Sequence, residues 1–102
     1  QGSYKGKQIL GKKTIELVHI NQNSHIPDSS FGLTFGLVSE KDQALGGKGS
    51  AGTLYWAGYF NTSSFADPEE ELIGIIYLQT YDYTSFLIPN QFKALVFHSL
   101  IN

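Results

Sequence analysis

The sequence predicts an α+β fold: an antiparallel β-sheet of three to four strands, with a short N-terminal helix before it and a C-terminal helix packed on it. Residues 54–80 contain three segments rich in β-branched and aromatic residues, separated by residues that favour turns. This pattern is typical of strands that follow one another in an antiparallel sheet. Residues 89–99 carry apolar side chains three and four positions apart, as on one face of a helix.

The three central strands are separated by recognisable turn residues. The first strand ends at Tyr55-Trp56, before the break at Gly58. The second strand covers residues 60–66 and is stopped by Asp67-Pro68. The third strand covers residues 72–80 and is apolar at nearly every position through residue 78. Such a continuous apolar run predicts a strand that is covered on both faces.

Further elements lie on either side of these strands. Residues 1–7 are predicted to be a loop or a short edge strand, and residues 14–20 are compatible with either a strand or a helix. Residues 31–38 are predicted to form a strand, whose glycines indicate bulges or a close approach of backbones. Residues 39–52 are predicted to be a polar loop, and Pro89 to open the last helix. The face of that helix expected to pack on the sheet consists of Phe92, Leu95, Val96 and Ser99, with Ile88 leading into it.

Length, composition and charge restrict the classes of function that are compatible with this chain. The chain has 102 residues, which is enough for one domain at most. It contains no Cys, so nothing indicates a disulfide framework or thiol chemistry. A net charge of -2 argues against binding to nucleic acid or to a membrane surface. No apolar run approaches the roughly 18 residues of a membrane span. Because the chain has no Met, we expect it to be processed or cut from a longer protein.

The central stretch resembles a family of enzymes. Trp56-Ala57-Gly58 is similar to the third active-site motif of serine β-lactamase-like hydrolases, which include class C β-lactamases, penicillin-binding proteins and related esterases. That motif is Lys-Thr-Gly in lactamases and His-x-Gly or Trp-Gly-Gly in many esterase-like members. The segments that keep the family's order around it are residues 6–18, residues 31–38, Asn61-Thr62, Phe65-Ala66-Asp67-Pro68 and residues 72–79.

The resemblance implies both a fold and a site. It identifies the chain as the C-terminal portion of a β-lactamase-like catalytic domain, and it favours a helix for residues 14–20. It implies that Trp56, Ala57, Gly58 and Tyr59 line a substrate cleft. The Tyr59 N–H would be one donor of an oxyanion hole, because fixed backbone donors stabilise developing negative charge. Trp56 stands where lactamases have Lys, and Ala57 where esterase-like members often have Gly. Ester or peptide-like substrates are therefore expected over β-lactams.

The catalytic residues of that family are not found in this sequence. The family places its nucleophilic Ser three positions before a Lys, and no Ser of this chain has a Lys three positions later. Tyr59-Phe60-Asn61 matches the second motif, Tyr-x-Asn, but lies within the third-motif strand, so we interpret it as chance. The parent is implied to form an acyl-enzyme without a cofactor.

The family also implies surroundings and partners for the parent. Its substrate would be a small molecule or peptidoglycan-like, and its location the bacterial periplasm, the cell envelope or outside the cell. The chain by itself is expected to be inactive. Without the rest of the catalytic domain, a sheet edge and an apolar face would lie open, and we expect self-association through them.

Other patterns support alternatives. The length also suits a stand-alone α+β binding or interaction module without catalytic activity. Residues 6–14 are one residue off a phosphate-binding loop and lack the strand that should precede it. The three His residues are too scattered for a zinc site. Glu69-Glu70-Glu71 is more typical of an exposed hairpin turn than of a calcium loop. A third motif placed at Lys48-Gly49-Ser50 would lie too far from Asp67-Pro68.

Overall fold

The structure is a computed structural model that describes residues 2–81 and 87–100. Four strands form one antiparallel sheet, two short strands form a separate hairpin, and the C-terminal helix packs on the larger sheet. These findings confirm the predicted α+β class, the four-stranded sheet, the short helix and the C-terminal helix. In chain order the elements are β1 (Ser3–Tyr4), β2 (Lys7–Gln8), α1 (Lys12–Val18), β3 (Gly36–Leu37), α2 (Glu40–Leu45), β4 (Leu54–Ala57), β5 (Ser63–Asp67), β6 (Leu72–Ile76) and α3 (Leu87–His98).

The larger sheet is a meander in which each strand pairs with the next, in the order β3-β4-β5-β6. The register pairs Tyr55 with both Gly36 and Phe65, and it pairs Phe65 with Gly74. Paired residues project on the same side of a sheet and successive residues on opposite sides. These four residues therefore form one row on one face. The residues that project from the other face include Leu54, Trp56, Ala66, Ile73 and Ile75.

Helix α3 covers the face that carries this row. The Phe65 side chain is only 3% exposed, and its ring centroid lies 5.2 Å from that of Phe97 and 6.2 Å from that of Phe92. A side chain at Gly74 would overlap the Phe65 ring, and one at Gly36 would overlap the ring of its partner on β4. The two glycines therefore provide flat backbone on which aromatic rings lie. At Gly36 the close approach is that of a ring to the backbone, whereas the sequence predicted a bulge or a close approach of two backbones.

The face of α3 that packs on the sheet matches the predicted one only in part: Phe92 contacts Phe65 as predicted. Pro89 is buried and Phe97 contacts β5, whereas Leu95 is 68% exposed. Ser99 is exposed as well, so the assignment of Leu95 and Ser99 to the packed face was wrong. Ile88, which was predicted to lead into that face, is also exposed. Pro89, Phe92 and Phe97 lie on one side of the helix, within about 140° of arc at 3.6 residues per turn. The helix begins two residues before Pro89, so Pro89 lies in the first turn but does not open the helix. Proline is tolerated in the first turn because a backbone N–H at that place would have no partner within the helix.

Strand β6 is covered on one face only. Gly74 is buried, but Ile73 is 72% exposed and Ile75 is 47% exposed. The prediction that residues 72–78 are covered on both faces was therefore wrong for the part of the chain that the structure describes. The apolar run of β6 lies on a part of the sheet that no described helix or strand covers on the side opposite α3.

Three predicted strands are shorter than expected. The strand predicted over residues 60–66 is β5, which begins only at Ser63, after the turn that Asn61 makes. Strand β6 ends at Ile76 rather than at residue 80, and the following residues bond to the β4–β5 turn instead of a ladder. Thr62 Oγ1 donates to the Leu78 carbonyl at 3.1 Å, and the Thr80 N–H donates to the Phe60 carbonyl at 3.2 Å. Residues 31–38 form a strand only at β3, preceded by one isolated bridge.

The predicted polar loop at residues 39–52 contains helix α2. Ser39 caps this helix: its Oγ accepts a hydrogen bond from the Asp42 N–H at 3.1 Å and donates to Asp42 Oδ2 at 3.0 Å. Gly46, with φ of 78°, ends the helix in the left-handed region that glycine adopts readily. Ser39-x-x-Asp42 is the sequence signal that could have identified this helix.

The loop after α2 is tied to the β5–β6 turn by Asp67, which is 1% exposed. Its carboxylate accepts hydrogen bonds from the N–H groups of Ser50 (2.9 Å), Glu69 (2.9 Å) and Glu70 (3.2 Å). Burial alone would raise the pKa of Asp67, but these N–H donors together hold that pKa below its usual value. The three Glu residues of the turn are exposed, as the hairpin interpretation predicted.

Candidate functional site

The predicted site lies where β4 turns into β5. The Gly58 N–H donates to the Thr62 carbonyl at 2.6 Å, and the Asn61 N–H donates to the Gly58 carbonyl at 3.1 Å. Asn61 has φ of 73°, a left-handed conformation that asparagine tolerates better than most residues. These bonds end the ladder at the Ala57–Ser63 pair and hold Gly58 at the tip of the sheet.

Trp56 and Tyr59 are accessible from solvent at this tip. Trp56 is 54% exposed and projects from the face that α3 does not cover, with its ring edge-on to Phe31 at 5.5 Å. Tyr59 is 75% exposed. Within the described residues, its backbone N–H donates no hydrogen bond to the chain. The side chain of Trp56 thus is not buried beneath the helix, and the Tyr59 N–H is not used in the sheet.

The rings of Trp56 and Tyr59 contact different aromatic side chains. Tyr59 stacks on Tyr81 at 5.3 Å with an interplanar angle of 25°, and it meets Phe60 edge-on at 5.1 Å. Asn61 Nδ2 donates to the Thr80 carbonyl at 2.8 Å, which holds the two parts of this aromatic group together. Sequence reasoning did not single out Phe60 or Tyr81. The structure brings Trp56, Ala57, Gly58 and Tyr59 to one end of the sheet, but it directs their two rings to separate neighbours.

A second site, which sequence reasoning missed, is a cavity of about 460 Å³ beneath α3. It lies between the loop after α2, strands β4 and β5, and the helix. Tyr55 and Phe65 form part of its wall, and Lys48 and Lys93 supply two cations. The only sequence signal for it is a Lys at the centre of a helix face that otherwise packs apolar groups. Its further lining residues are Val38, Asp42, Gly46, Gly47, Ser63, Ser64, Pro89, Asn90 and Ala94.

Lys93 is the unusual group of this cavity. Its Nζ lies 5.1 Å from the centroid of the Tyr55 ring and 5.3 Å from that of the Phe65 ring, within range of cation–π attraction. Burial, together with repulsion from Lys48, lowers the pKa of Lys93 to about 8, although Asp67 and Asp42 act in the opposite direction. Among the described residues Lys93 forms no ion pair, and that distinguishes it from Lys48.

Lys48 is compensated by a direct partner. Its Nζ lies 2.9 Å from Asp42 Oδ1, and this bond is the leading reason that the pKa of Asp42 lies below its usual value. The cavity therefore contains one paired cation and one cation held only by aromatic rings. A half-buried amine with a lowered pKa in a concave site is a frequent feature of binding and catalytic sites.

Other kinds of site find less support. No group of three or more His, Cys, Asp or Glu residues in residues 2–81 and 87–100 could hold a metal ion. Within the same residues, no helix combines the length and apolar character needed to cross a bilayer. In comparisons with known proteins, no protein-family model matches the chain and no curated protein shows significant similarity to it.

Proposed function

We propose that the chain is the C-terminal piece of a serine hydrolase that resembles β-lactamases, penicillin-binding proteins and related esterases. The open end of β4 carries this proposal, because it offers an exposed Trp56 and an unused Tyr59 N–H next to Gly58. In the parent enzyme these residues and Ala57 line the substrate cleft. The Tyr59 N–H supplies one fixed donor to the oxyanion of an acyl-transfer reaction.

The arrangement of elements is consistent with this proposal. The Trp56-Ala57-Gly58 strand, the Asp67-Pro68 turn, the apolar strand and the terminal helix follow one another in the order on which the resemblance rests. Trp56 stands on the face of the sheet opposite α3, where it contacts Phe31 but is 54% exposed, so a further part of the enzyme has room to form the opposite wall of the cleft.

The reaction itself requires groups from outside this sequence. Acyl transfer to an enzyme needs an activated hydroxyl with a base in reach, and no Ser here has the Lys spacing of the family. An apolar Trp56 in place of a cation favours ester or peptide-like substrates, including peptidoglycan-like ones, over β-lactam carboxylates. The compartment proposed with this assignment is the bacterial periplasm, the cell envelope or the outside of the cell.

The test is covalent labelling by a serine-directed fluorophosphonate. The chain alone should not be labelled, whereas the chain expressed with the polypeptide encoded upstream in its reading frame should be labelled on a Ser three positions before a Lys. In that longer protein, Trp56→Lys should lower ester hydrolysis relative to Trp56→Phe. Labelling of a Ser within the 102 residues, or an upstream sequence without Ser-x-x-Lys, would contradict the proposal.

A stand-alone binding module is the second candidate function. The cavity beneath α3 favours it, because about 460 Å³ lies within the usual size range of small-molecule sites. A start or stop codon close upstream of the sequence would support this candidate over the hydrolase.

We also propose self-association through the edge strand β6. In the described residues β6 pairs only with β5, so its other edge offers backbone groups to a second strand. Ile73 and Ile75 project beside this edge and are largely exposed. A second copy of the chain could pair with the edge and cover part of the apolar face.

A further inference from the structure

The cavity beneath α3 combines apolar walls with an excess of positive charge. Two Lys and one Asp line it, and Lys48 is already paired with Asp42 at 2.9 Å. Lys93 lies over two aromatic rings, and it has no carboxylate at ion-pair distance in the described part of the chain. The wall also contains the Ser63 hydroxyl and the Asn90 amide, both able to donate hydrogen bonds to an oxygen.

We infer that this cavity binds a small ligand that carries one carboxylate and an aromatic or aliphatic group, with Lys93 as the cation that receives the carboxylate. This inference does not depend on the hydrolase proposal, because the cavity and Trp56 lie on opposite faces of the sheet. The carboxylate would be placed beside Lys93 and Asn90, and the apolar group against Tyr55 and Phe65.

Charge compensation is the physical reason for a carboxylate. A half-buried ammonium with a like charge nearby is disfavoured, and an anion in the cavity would remove that penalty. The titratable groups around Lys93 are Asp42 on α2, Lys48 in the following loop, Tyr55 on β4 and Asp67 on β5, whereas β6, which also packs against α3, has none. The two carboxylates among them accept hydrogen bonds from other partners, so neither replaces an external anion at Lys93.

The size and walls of the cavity restrict the ligand further. It lies between a helix and a sheet, and its volume of about 460 Å³ suits a small molecule and is too small for a duplex or a helical peptide. A polyphosphate is disfavoured, because such groups are bound by several convergent backbone N–H groups and multiple cations. A single carboxylate on a small ring matches one uncompensated cation and two aromatic walls.

The experiment uses benzoate as the probe and benzamide, its neutral isostere, as the matched control. The ¹⁵N-labelled chain is titrated with each compound at about pH 7, where Lys93, with its pKa of about 8, is mostly protonated. We expect saturable shifts of the Tyr55, Phe65 and Ala94 amides with benzoate, and at least about tenfold weaker binding of benzamide. Equal binding of the two compounds, or no binding of benzoate, would overturn the inference.

Substitutions assign the effect to Lys93. Lys93→Met should weaken benzoate binding by about tenfold or more, Lys93→Arg should retain it, and Lys13→Met should leave it unchanged. Lys13 is a suitable control because it lies on α1, away from the cavity lining, with a side chain that is 91% exposed. Unchanged binding by Lys93→Met would contradict the assignment.

A pH series gives a result that a purely structural role of Lys93 would not produce. Raising the pH to about 9.5 should weaken benzoate binding in the natural chain, because the Lys93 amine loses its proton above its pKa of about 8. Binding by Lys93→Arg should not weaken over this range, because guanidinium stays protonated. If Lys93→Met fails to fold, as judged from its amide spectrum, these two pH profiles decide the question: identical profiles would refute the inference.

Discussion

The two faces of the four-stranded sheet are built from alternate residues of the same strands, yet they differ in almost every physical property. On the α3 face, Phe65 is 3% exposed and lies between Gly74 and the rings of the helix. On the other face, Ile73 on the neighbouring strand is 72% exposed. Both faces are apolar in sequence. The difference shows that a covering element, and not the character of the residue, decides whether an apolar side chain stabilises the monomer.

The same comparison separates two kinds of role. The α3 face contains the buried aromatic row and the Lys93 cavity, so its residues should control stability and ligand binding. The open face contains Trp56 and the exposed side chains of β6, so its residues should control association and the proposed cleft. Substitutions on one face should leave the property of the other face unchanged, and the following predictions test this separation.

The largest effect is expected for Phe65→Ala on the covered face. Removing a buried aromatic ring that contacts Phe92 and Phe97 should lower the free energy of unfolding by about 3–5 kcal/mol. Ile73→Ala on the open face is the matched control and should cost less than about 1 kcal/mol. Urea unfolding at equilibrium measures both values. Equal losses for the two variants would remove the distinction between the faces.

The next effect concerns the carboxylate that ties the α2–β4 loop to the β5–β6 turn. Asp67→Asn should lower the free energy of unfolding by about 2–3 kcal/mol at neutral pH, because the amide NH₂ would face one of the N–H groups that now donate hydrogen bonds to the carboxylate. Glu70→Gln, on the exposed turn, is the control and should have little effect. Chemical unfolding of the three proteins gives the comparison.

The pH dependence of the same group has a defined sign. The pKa of Asp67 is lower in the folded state than its ordinary value of 3.8, so the unfolded state binds more protons in acid. The stability that Asp67 contributes is present above that value and is lost as the pH falls through the folded pKa. Asp67→Asn should therefore show a shallower loss of stability in acid than the natural chain. An unchanged acid profile would show that other carboxylates dominate.

A smaller effect is expected for Gly74→Ala, which tests the backbone surface under the Phe65 ring. The added methyl group would overlap that ring, so we expect a loss of about 1–3 kcal/mol. Gly58→Ala is the control, because a methyl group there would lie 3.6 Å from Thr62, an ordinary contact. Its stability should change by less than about 0.5 kcal/mol. Thermal unfolding compares the two, and a neutral Gly74→Ala would mean that the helix adjusts its position.

The smallest effect on the monomer, and the largest on association, is expected on the open face. The double substitution Ile73→Lys and Ile75→Lys should change monomer stability by no more than about 0.5 kcal/mol, because both side chains are exposed. It should abolish self-association, which charged residues at a sheet edge prevent. Leu95→Lys, which adds a positive charge on the exposed side of α3, should leave association intact. Sedimentation velocity over a range of concentrations measures this, and a natural chain that stays monomeric throughout would contradict the proposed association.

Much of the fold was predictable because its determinants are local. The meander follows from aromatic and β-branched segments between Gly58, Asp67-Pro68 and the acidic turn, and these breaks act on neighbouring residues. Helix α2 was missed although Ser39-x-x-Asp42 signals it, because the glycines that follow dominated the interpretation of the loop. The face of α3 was partly misassigned because the pattern could not tell Leu95 from Phe97.

The two candidate sites also differ in whether their residues lie close together in the sequence. Trp56 to Tyr59 could be located from the sequence because they form one contiguous segment at a strand end. The cavity could not, because its charged residues come from α2, the following loop and α3, which are far apart along the chain. The lowered pKa of Lys93 depends on burial and on repulsion from Lys48, and neither can be recognised from the residues next to Lys93 in the sequence.

The order of the strands, the positions of the turns and the absence of a Ser-x-x-Lys nucleophile follow from the amino-acid sequence, since all three depend on residues close together in the chain. The sheet face that α3 covers and the position of a cation without an ion-pair partner among the described residues depend on how the chain packs. Burial and electrostatic repulsion act through space, so they arise only when distant segments are brought together.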